Sequence, residues 1–134
     1  MASIRKSVDV AVDRGTAWAA LRRVGDPHEL FAPVLTSGRL EGDTRTVTFA
    51  NGMTVRERIL DVDEASCRVA YTVLDGPGMS YHHASMEIVD AGNGRCRFVW
   101  TTDFLPPEIG GTLTPLIDQG TAARKANLER SRAR

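Results

Sequence analysis

The sequence has few cysteines and no excess of either charge. Its only two cysteines, Cys67 and Cys96, lack the CxxC spacing of a redox or zinc site, so we expect two reduced thiols and no bound metal. Seventeen Lys and Arg residues balance seventeen Asp and Glu residues. Without a net positive field, the chain is not expected to bind nucleic acid.

Long hydrophobic runs are also missing. The apolar runs fall far short of the roughly 20 residues that a membrane-spanning helix needs, and residues 1–6 lack the apolar core of a signal peptide. We therefore expect a cytoplasmic protein without membrane insertion. The length of 134 residues fits one domain, 1–134. No GxSxG, GxGxxG or P-loop motif is present, so neither covalent catalysis nor a cofactor is expected.

Apolar and polar residues alternate along most of the chain, which predicts β-strands. The seven predicted strands are 3–12, 34–41, 44–50, 53–63, 67–75, 81–90 and 95–105. Between the third and fourth strands, Asn51-Gly52 predicts a two-residue type I′ hairpin with positive φ at both positions. The flanking strands should therefore pair antiparallel.

Three segments have helical patterns. Asp13 is the predicted N-cap of a short helix that carries Trp18, and a second short helix is predicted from Pro27 through Phe31. A final helix runs from residue 107 or 112 to 130. Its predicted apolar side consists of Leu113, Leu116, Ile117, Gly120, Ala123, Ala126 or Asn127, and Leu128.

The order of these elements predicts the fold class. Six consecutive strands make a curved sheet whose apolar concave face needs a cover, and only the last helix is long enough to provide it. The prediction is an α+β fold in which a seven-stranded antiparallel sheet wraps around a long C-terminal helix. Two short helices follow the first strand.

Several short stretches, in this order and spacing, resemble a known superfamily. They are 12–18, 55–59 ahead of Asp63, 71–73, 94–100 and 104–106. On these stretches the chain resembles the START-like superfamily, also called SRPBCC, and particularly its polyketide cyclase/dehydrase-like branch. The resemblance implies the helix-grip fold, with a ligand cavity between the sheet and the final helix. It does not imply one reaction, because the superfamily shares a shape and not a chemistry.

Strand alternation and the resemblance together indicate which residues face the cavity. His82 is favoured over His83 because it shares a strand face with Ala84, Met86 and Ile88. A bulge would instead turn Tyr81 and His83 inward, so both stay candidates. The predicted ligand-binding residues are Phe49, Val55, Glu57, Ile59, Tyr71, Val73, Tyr81, His82, His83, Phe98, Trp100, Thr102, Phe104, Leu116, Gly120, Ala123 and Asn127.

Three of these residues are candidate catalytic groups. Glu57 in an apolar cavity would be a general acid or base, or it would simply pair with an arginine such as Arg39 or Arg45. His82 would transfer protons or would be an ordinary buried polar residue. Tyr71 would donate its phenol proton to a carbonyl.

The residues thus support two functional hypotheses. The first is binding of a hydrophobic or amphipathic small molecule that is polyketide-, aromatic- or lipid-like. The alternative is a cofactor-independent cyclase, aromatase or dehydratase that uses acid–base residues in the same cavity. A partner protein using the outer sheet face is less favoured, because charged residues there usually form a solvated surface. Assembly into a homodimer is left open.

Overall fold

The structure, a computed structural model, describes residues 2–76 and 78–132, with side chains up to residue 130. Seven strands form one antiparallel sheet in the order β1-β7-β6-β5-β4-β3-β2. The strands are β1 (Ala2–Val10), β2 (Leu35–Glu41), β3 (Thr44–Phe49), β4 (Thr54–Asp63), β5 (Arg68–Val73), β6 (Tyr81–Gly92) and β7 (Arg95–Leu105). The predicted helix-grip architecture is confirmed.

Three α-helices complete the fold. They are α1 (Arg14–Leu21), α2 (Pro27–Phe31) and α3 (Gly110–Arg132), and a 3₁₀ turn at Pro107–Ile109 leads directly into α3. The earlier of the two predicted starts of the final helix is therefore correct. The carboxylate of Asp13 accepts the backbone N–H of Thr16 at 2.6 Å, which confirms the predicted N-cap of α1. None of the helices described is both long and apolar enough to cross a membrane.

Two Asn-Gly turns differ from each other, and the predicted type I′ turn at Asn51-Gly52 is wrong. Only Gly52 has a positive φ there, of 89°, and Asn51 instead accepts the backbone N–H of Met53 through its side chain. The result is a three-residue loop with glycine at the positive-φ position. Three consecutive positive φ angles occur instead at Gly92, Asn93 and Gly94, 80°, 56° and 71°, in the tight turn between β6 and β7. The antiparallel pairing of β3 with β4 is confirmed.

The interior is packed solid at one end of the sheet. There α1 and the second half of α3 cover fully buried side chains, among them Val10, Ile88, Cys96 and Phe98. The indole N–H of Trp18 donates to Glu64 in the loop after β4, which fixes α1 on this end. We call this region the packed end.

The opposite end of the sheet carries the start of β6 and the first half of α3. His82 lies opposite Phe104 in the register of β6 and β7, and Glu57 lies opposite Val73 in that of β4 and β5. Because few side chains from α3 fill the space above these residues, this end holds the cavity described next. We call it the hollow end.

Candidate functional site

A cavity of about 240 Å³ lies between the hollow end of the sheet and the first half of α3. Most of its lining is apolar, and its polar side chains come from the five strands β3 to β7 and from the start of α3. An apolar cavity with a few convergent polar groups is the usual form of a small-molecule site. The predicted ligand-binding residues that line it are Phe49, Val55, Glu57, Tyr71, Val73, His82, Trp100, Thr102, Leu116 and Gly120.

The cavity is reached from the side where its lining is exposed. Met53 follows the β3–β4 turn, Met79 precedes β6 and Thr112 lies in the first turn of α3. Met53 and Thr112 are exposed and Met79 is half-buried, whereas Tyr71 and Trp100 at the far side are buried. A ligand entering between these three residues would meet Tyr71 and Trp100 last, and we call that far side the inner wall.

Two predicted residues on β6 lie on the wrong face for ligand binding. The strand continues without a bulge at its start, so Tyr81 and His83 point away from His82 onto the outer surface of the sheet. Tyr81 is 43% exposed and His83 is half-buried, and neither lines the cavity. The prediction that Tyr81 and His83 contact a ligand in the cavity is therefore wrong.

Five more predicted residues lie outside the cavity. Phe98 and Phe104 are core residues, since a buried guanidinium covers the first and Gly110 packs against the second. Ile59 faces inward two residues beyond Glu57, beside Val24. The remaining two belong to α3: Ala123 is half-buried without lining the cavity, and Asn127 donates to the carbonyls of Leu30 and Ala32.

Glu57 forms a buried ion pair with Arg45 of β3. Nε of Arg45 donates to Oε1 of Glu57 at 2.9 Å, and Nη2 lies 2.7 Å from the same oxygen, while Nη1 donates to the carbonyl of Val24 at 3.2 Å. Both residues are less than 10% exposed. Because Nε and Nη2 of Arg45 both contact Oε1, the second carboxylate oxygen, Oε2, has no donor among the residues described. This oxygen is the part of Glu57 that is free to contact a ligand.

His82 is held as a neutral imidazole. Its Nδ1 accepts the backbone N–H of Val73 at 3.0 Å, so the ring carries its proton on Nε2. Burial lowers the pKa of His82 from 6.5 to about 4, with a smaller lowering from His83. Around neutral pH, His82 therefore offers the cavity an N–H donor with no charge.

Tyr71 is the third candidate catalytic residue and lies between the other two. Its ring is 5.8 Å from that of His82, and the Arg45 guanidinium lies 5.3 Å from its ring centroid. Burial and the nearby Glu57 carboxylate raise the pKa of the phenol. Tyr71 therefore stays protonated and can serve as a hydrogen-bond donor.

The most unusual buried group is Arg124, on α3 behind the inner wall. It is 0% exposed, and its guanidinium carbon lies 3.4 Å from the ring centroid of Phe98 and 5.0 Å from that of Trp100. None of its three guanidinium nitrogens has a hydrogen-bond partner within residues 2–76 and 78–132. Burial lowers the pKa of Arg124 to about 9, so the group is still charged at neutral pH.

Sequence reasoning did not select Arg45 or Arg124 as site residues, although a signal existed for both. Arg45 shares its strand face with Val47 and Phe49, the inward set of β3. Arg124 follows Gly120 by four residues and precedes Leu128 by four, which is the spacing of one helix face. A charge on an otherwise apolar face was the signal for each.

One cluster of metal-ligand side chains occurs in the described part of the chain, at Asp26, His28 and Glu29 on and before α2. None of the three lines the cavity. Both carboxylates already pair with Arg23. Surface ion pairs thus account for the two carboxylates, while Nδ1 of His28 is buried without a hydrogen-bond partner in the described chain.

The family model described as polyketide cyclase / dehydrase and lipid transport matches residues 1–134. The chain belongs to this family. Members of the family are thus described by two kinds of role, chemistry on polyketides and carriage of lipids, and membership alone does not choose between them. Among curated proteins, none matches the sequence.

Solved structures share the fold. A protein from Thermobifida fusca is 28% identical with a TM-score of 0.79, over 98% of this chain and 93% of that one. Norcoclaurine synthase from Thalictrum flavum, in complex with dopamine and hydroxybenzaldehyde, is 20% identical with a TM-score of 0.74, over 96% of this chain and 84% of that one. The di-domain ARO/CYC protein BexL is 14% identical with a TM-score of 0.83, over 96% of this chain and 47% of that one.

Proposed function

We propose that this protein binds an apolar or amphipathic small molecule in the cavity between the sheet and α3. The observation that carries the proposal is the cavity itself, with about 240 Å³ of space, an apolar lining and an exposed entrance. An apolar cavity of roughly 150 Å³ already accepts benzene, and pockets for drug-sized ligands begin at roughly 300 Å³. The volume therefore favours a ligand of one or two rings or a short chain.

The glycine at position 120 keeps this space open. A Cβ atom at Gly120 would lie 3.0 Å from the Trp100 ring and 3.6 Å from Phe31, so any side chain there presses against two rings that line the cavity. Gly111, on the same helix, has nothing within 4 Å of its would-be Cβ. The two positions therefore make a matched pair for blocking the cavity.

Titration with 2-acetylnaphthalene, a neutral two-ring ketone, tests the proposal. Binding is followed by calorimetry for the wild-type protein, Gly120→Leu and Gly111→Leu. We expect Gly120→Leu to weaken binding at least about tenfold and Gly111→Leu to leave it unchanged, because only the first fills the cavity. Equal binding by all three proteins, or none by the wild type, would refute the proposal.

A second candidate function is proton-transfer chemistry on a bound carbonyl compound, as in a cyclase or dehydratase. The specific observation in its favour is that Glu57 Oε2, the Tyr71 phenol and the Nε2–H of His82 belong to three adjacent strands lining one cavity. In this proposal Oε2 of Glu57 removes a proton from the carbon next to the carbonyl. Tyr71 or His82 donates a hydrogen bond to the oxygen that becomes negative.

The same ketone separates binding from catalysis. A base in the cavity would exchange the methyl protons of 2-acetylnaphthalene for deuterium in D₂O, which proton NMR detects. Catalysis predicts exchange above the buffer rate that Glu57→Gln abolishes without loss of binding, while Glu41→Gln on the exposed edge of β2 has no effect. Binding without exchange would leave the protein as a binding protein. The cytoplasmic location and the lack of a nucleic-acid partner stay predictions.

A further inference from the structure

Arg124 is a buried charge whose guanidinium has no hydrogen-bond partner in the described chain. A guanidinium removed from water without acceptors is strongly disfavoured, and buried charges in proteins are normally paired. The buried Arg45–Glu57 ion pair is already balanced and provides no carboxylate for Arg124. The interior of the described chain therefore carries one uncompensated positive charge.

Other unpaired donors lie next to this charge. The indole N–H of Trp100 is buried and makes no well-aligned hydrogen bond within residues 2–76 and 78–132, although it lies close enough to the Tyr71 phenol to lower the pKa of that group. The Trp100 ring centroid is 5.0 Å from the Arg124 guanidinium carbon. The hydroxyl of Thr121, one turn before Arg124 on the inward side of α3, is likewise buried without a partner. Arg124, Trp100 and Thr121 thus carry polar groups that make no hydrogen bond within the described chain, and the Tyr71 phenol lies near the first two.

The geometry directs these donors towards the cavity. Side chains on a helix lean towards its N-terminus, so the Arg124 side chain extends towards the turn that holds Gly120. Gly120 lines the cavity, and its missing side chain leaves the Trp100 ring as the layer between guanidinium and cavity. Phe98 covers one face of the guanidinium, at 3.4 Å from its centroid. The Trp100 ring covers the cavity side at 5.0 Å, so an acceptor in the cavity reaches the guanidinium only past the edge of that ring.

We propose that the inner wall is an anion subsite in which Arg124 and the Trp100 indole N–H bind a carboxylate or enolate oxygen of the cavity ligand. The proposal rests on the proposed function and narrows the ligand class to apolar molecules with one acidic oxygen group. Such a ligand enters with its acidic end first and leaves its apolar body against the aliphatic lining. Its negative charge neutralises the one buried charge that the fold does not pair.

A matched pair of probes tests the subsite. The probes are 2-naphthoate and 2-naphthamide, which have the same rings and nearly the same shape but differ in charge. We expect the wild-type protein to bind the carboxylate at least about tenfold more tightly than the amide. Arg124→Met should abolish this preference while keeping the affinity for the amide, and Arg130→Met, which removes an exposed arginine from the same helix, should keep the preference.

Thermal unfolding without ligand provides the second measurement. Methionine fills the volume of an arginine stem without a charge, so Arg124→Met should raise the Tm of the free protein. A lower Tm together with an unchanged probe preference would mean that Arg124 only holds the core together, and would overturn the subsite.

The outcomes separate the two proposals. Equal affinity of the wild-type protein for both naphthalene probes overturns the anion subsite and leaves the cavity function standing. If the wild-type protein binds none of the three compounds, 2-naphthoate, 2-naphthamide and 2-acetylnaphthalene, both the anion subsite and the cavity function are overturned. If Arg124→Met does not fold, the subsite is tested by the preference of the wild-type protein for 2-naphthoate over 2-naphthamide and by the loss of that preference in Arg124→Gln.

Discussion

Two arginines are buried in the described part of this protein, and they have opposite surroundings. Arg45 gives hydrogen bonds to Glu57 and to the carbonyl of Val24, so its charge and its donors are satisfied by the fold. Arg124, fully buried on α3, has no such partner in the described chain. The difference teaches that Arg45 is satisfied by the fold itself, whereas Arg124 has donors that a ligand could still bind.

The largest expected effect comes from breaking the satisfied pair. Glu57→Leu removes the carboxylate and leaves Arg45 charged and buried, which should cost about 3–5 kcal/mol of unfolding free energy. The measurement is urea unfolding followed by circular dichroism. The double variant Arg45→Met/Glu57→Leu should recover most of the loss, since neither charge remains. A loss below about 1 kcal/mol in the single variant would mean that the fold tolerates Arg45 without its carboxylate partner, as it tolerates Arg124.

A second test uses His82, a buried base that is already uncharged at neutral pH, unlike Arg124. The pKa of His82 is about 4 in the folded protein and about 6.5 in the unfolded chain, so the unfolded chain alone gains a proton as the pH falls between these values. The wild-type protein should therefore lose about 2 kcal/mol between about pH 7 and about pH 5 relative to His82→Gln. Unfolding at both pH values measures it. Parallel pH profiles would show that His82 is not held neutral.

A third test probes the space beside Arg124. Gly120→Ala places a methyl group 3.0 Å from the Trp100 ring and should destabilise the protein by about 1–2 kcal/mol. Gly111→Ala, where the methyl group meets nothing, should stabilise it by about 0.5–1 kcal/mol because alanine is the better helix former. Thermal unfolding of both variants compares them. Stabilisation by both would mean that Trp100 moves freely and does not form a fixed inner wall.

The smallest effect is expected at an exposed ion pair. Lys6 of β1 and Asp118 of α3 lie 3.1 Å apart with both side chains at least 40% exposed. Solvent screens such pairs, so Lys6→Met should change the unfolding free energy by less than about 0.5 kcal/mol. Urea unfolding provides the value. A change as large as that of Glu57→Leu would show that burial is not what distinguishes the Arg45–Glu57 pair.

The sequence predicted the architecture because the fold depends on patterns of many residues. The seven alternating strands and the N-cap at Asp13 could both be predicted, and the apolar residues that share a strand face with His82 placed it inside. The conformation of single turns was harder to predict. Asn51-Gly52 formed a three-residue loop because the Asn51 side chain bonds to the Met53 backbone, a local choice that the dipeptide does not reveal.

The site was predicted less completely. Strand parity identifies a face but not which part of that face is hollow, so Phe98 and Phe104 were assigned to the cavity although the packed core and Gly110 cover them. Asn127 was assigned to the ligand, but it bonds to carbonyls of the α2 region that are distant in sequence. Arg124 was overlooked because a charge on an apolar helix face is read as an interruption of the pattern. Its lack of a partner is a property of the folded interior.

The most direct test uses the two indole N–H signals of the ¹⁵N-labelled protein, which has only Trp18 and Trp100. Trp18 already donates to Glu64 at the packed end, so it is an internal control, whereas the Trp100 indole makes no well-aligned hydrogen bond in the described chain. Titration with 2-naphthoate should move the Trp100 signal downfield, as a new hydrogen bond requires, and leave that of Trp18 in place. Binding of 2-naphthoate with the Trp100 signal unmoved would contradict the account.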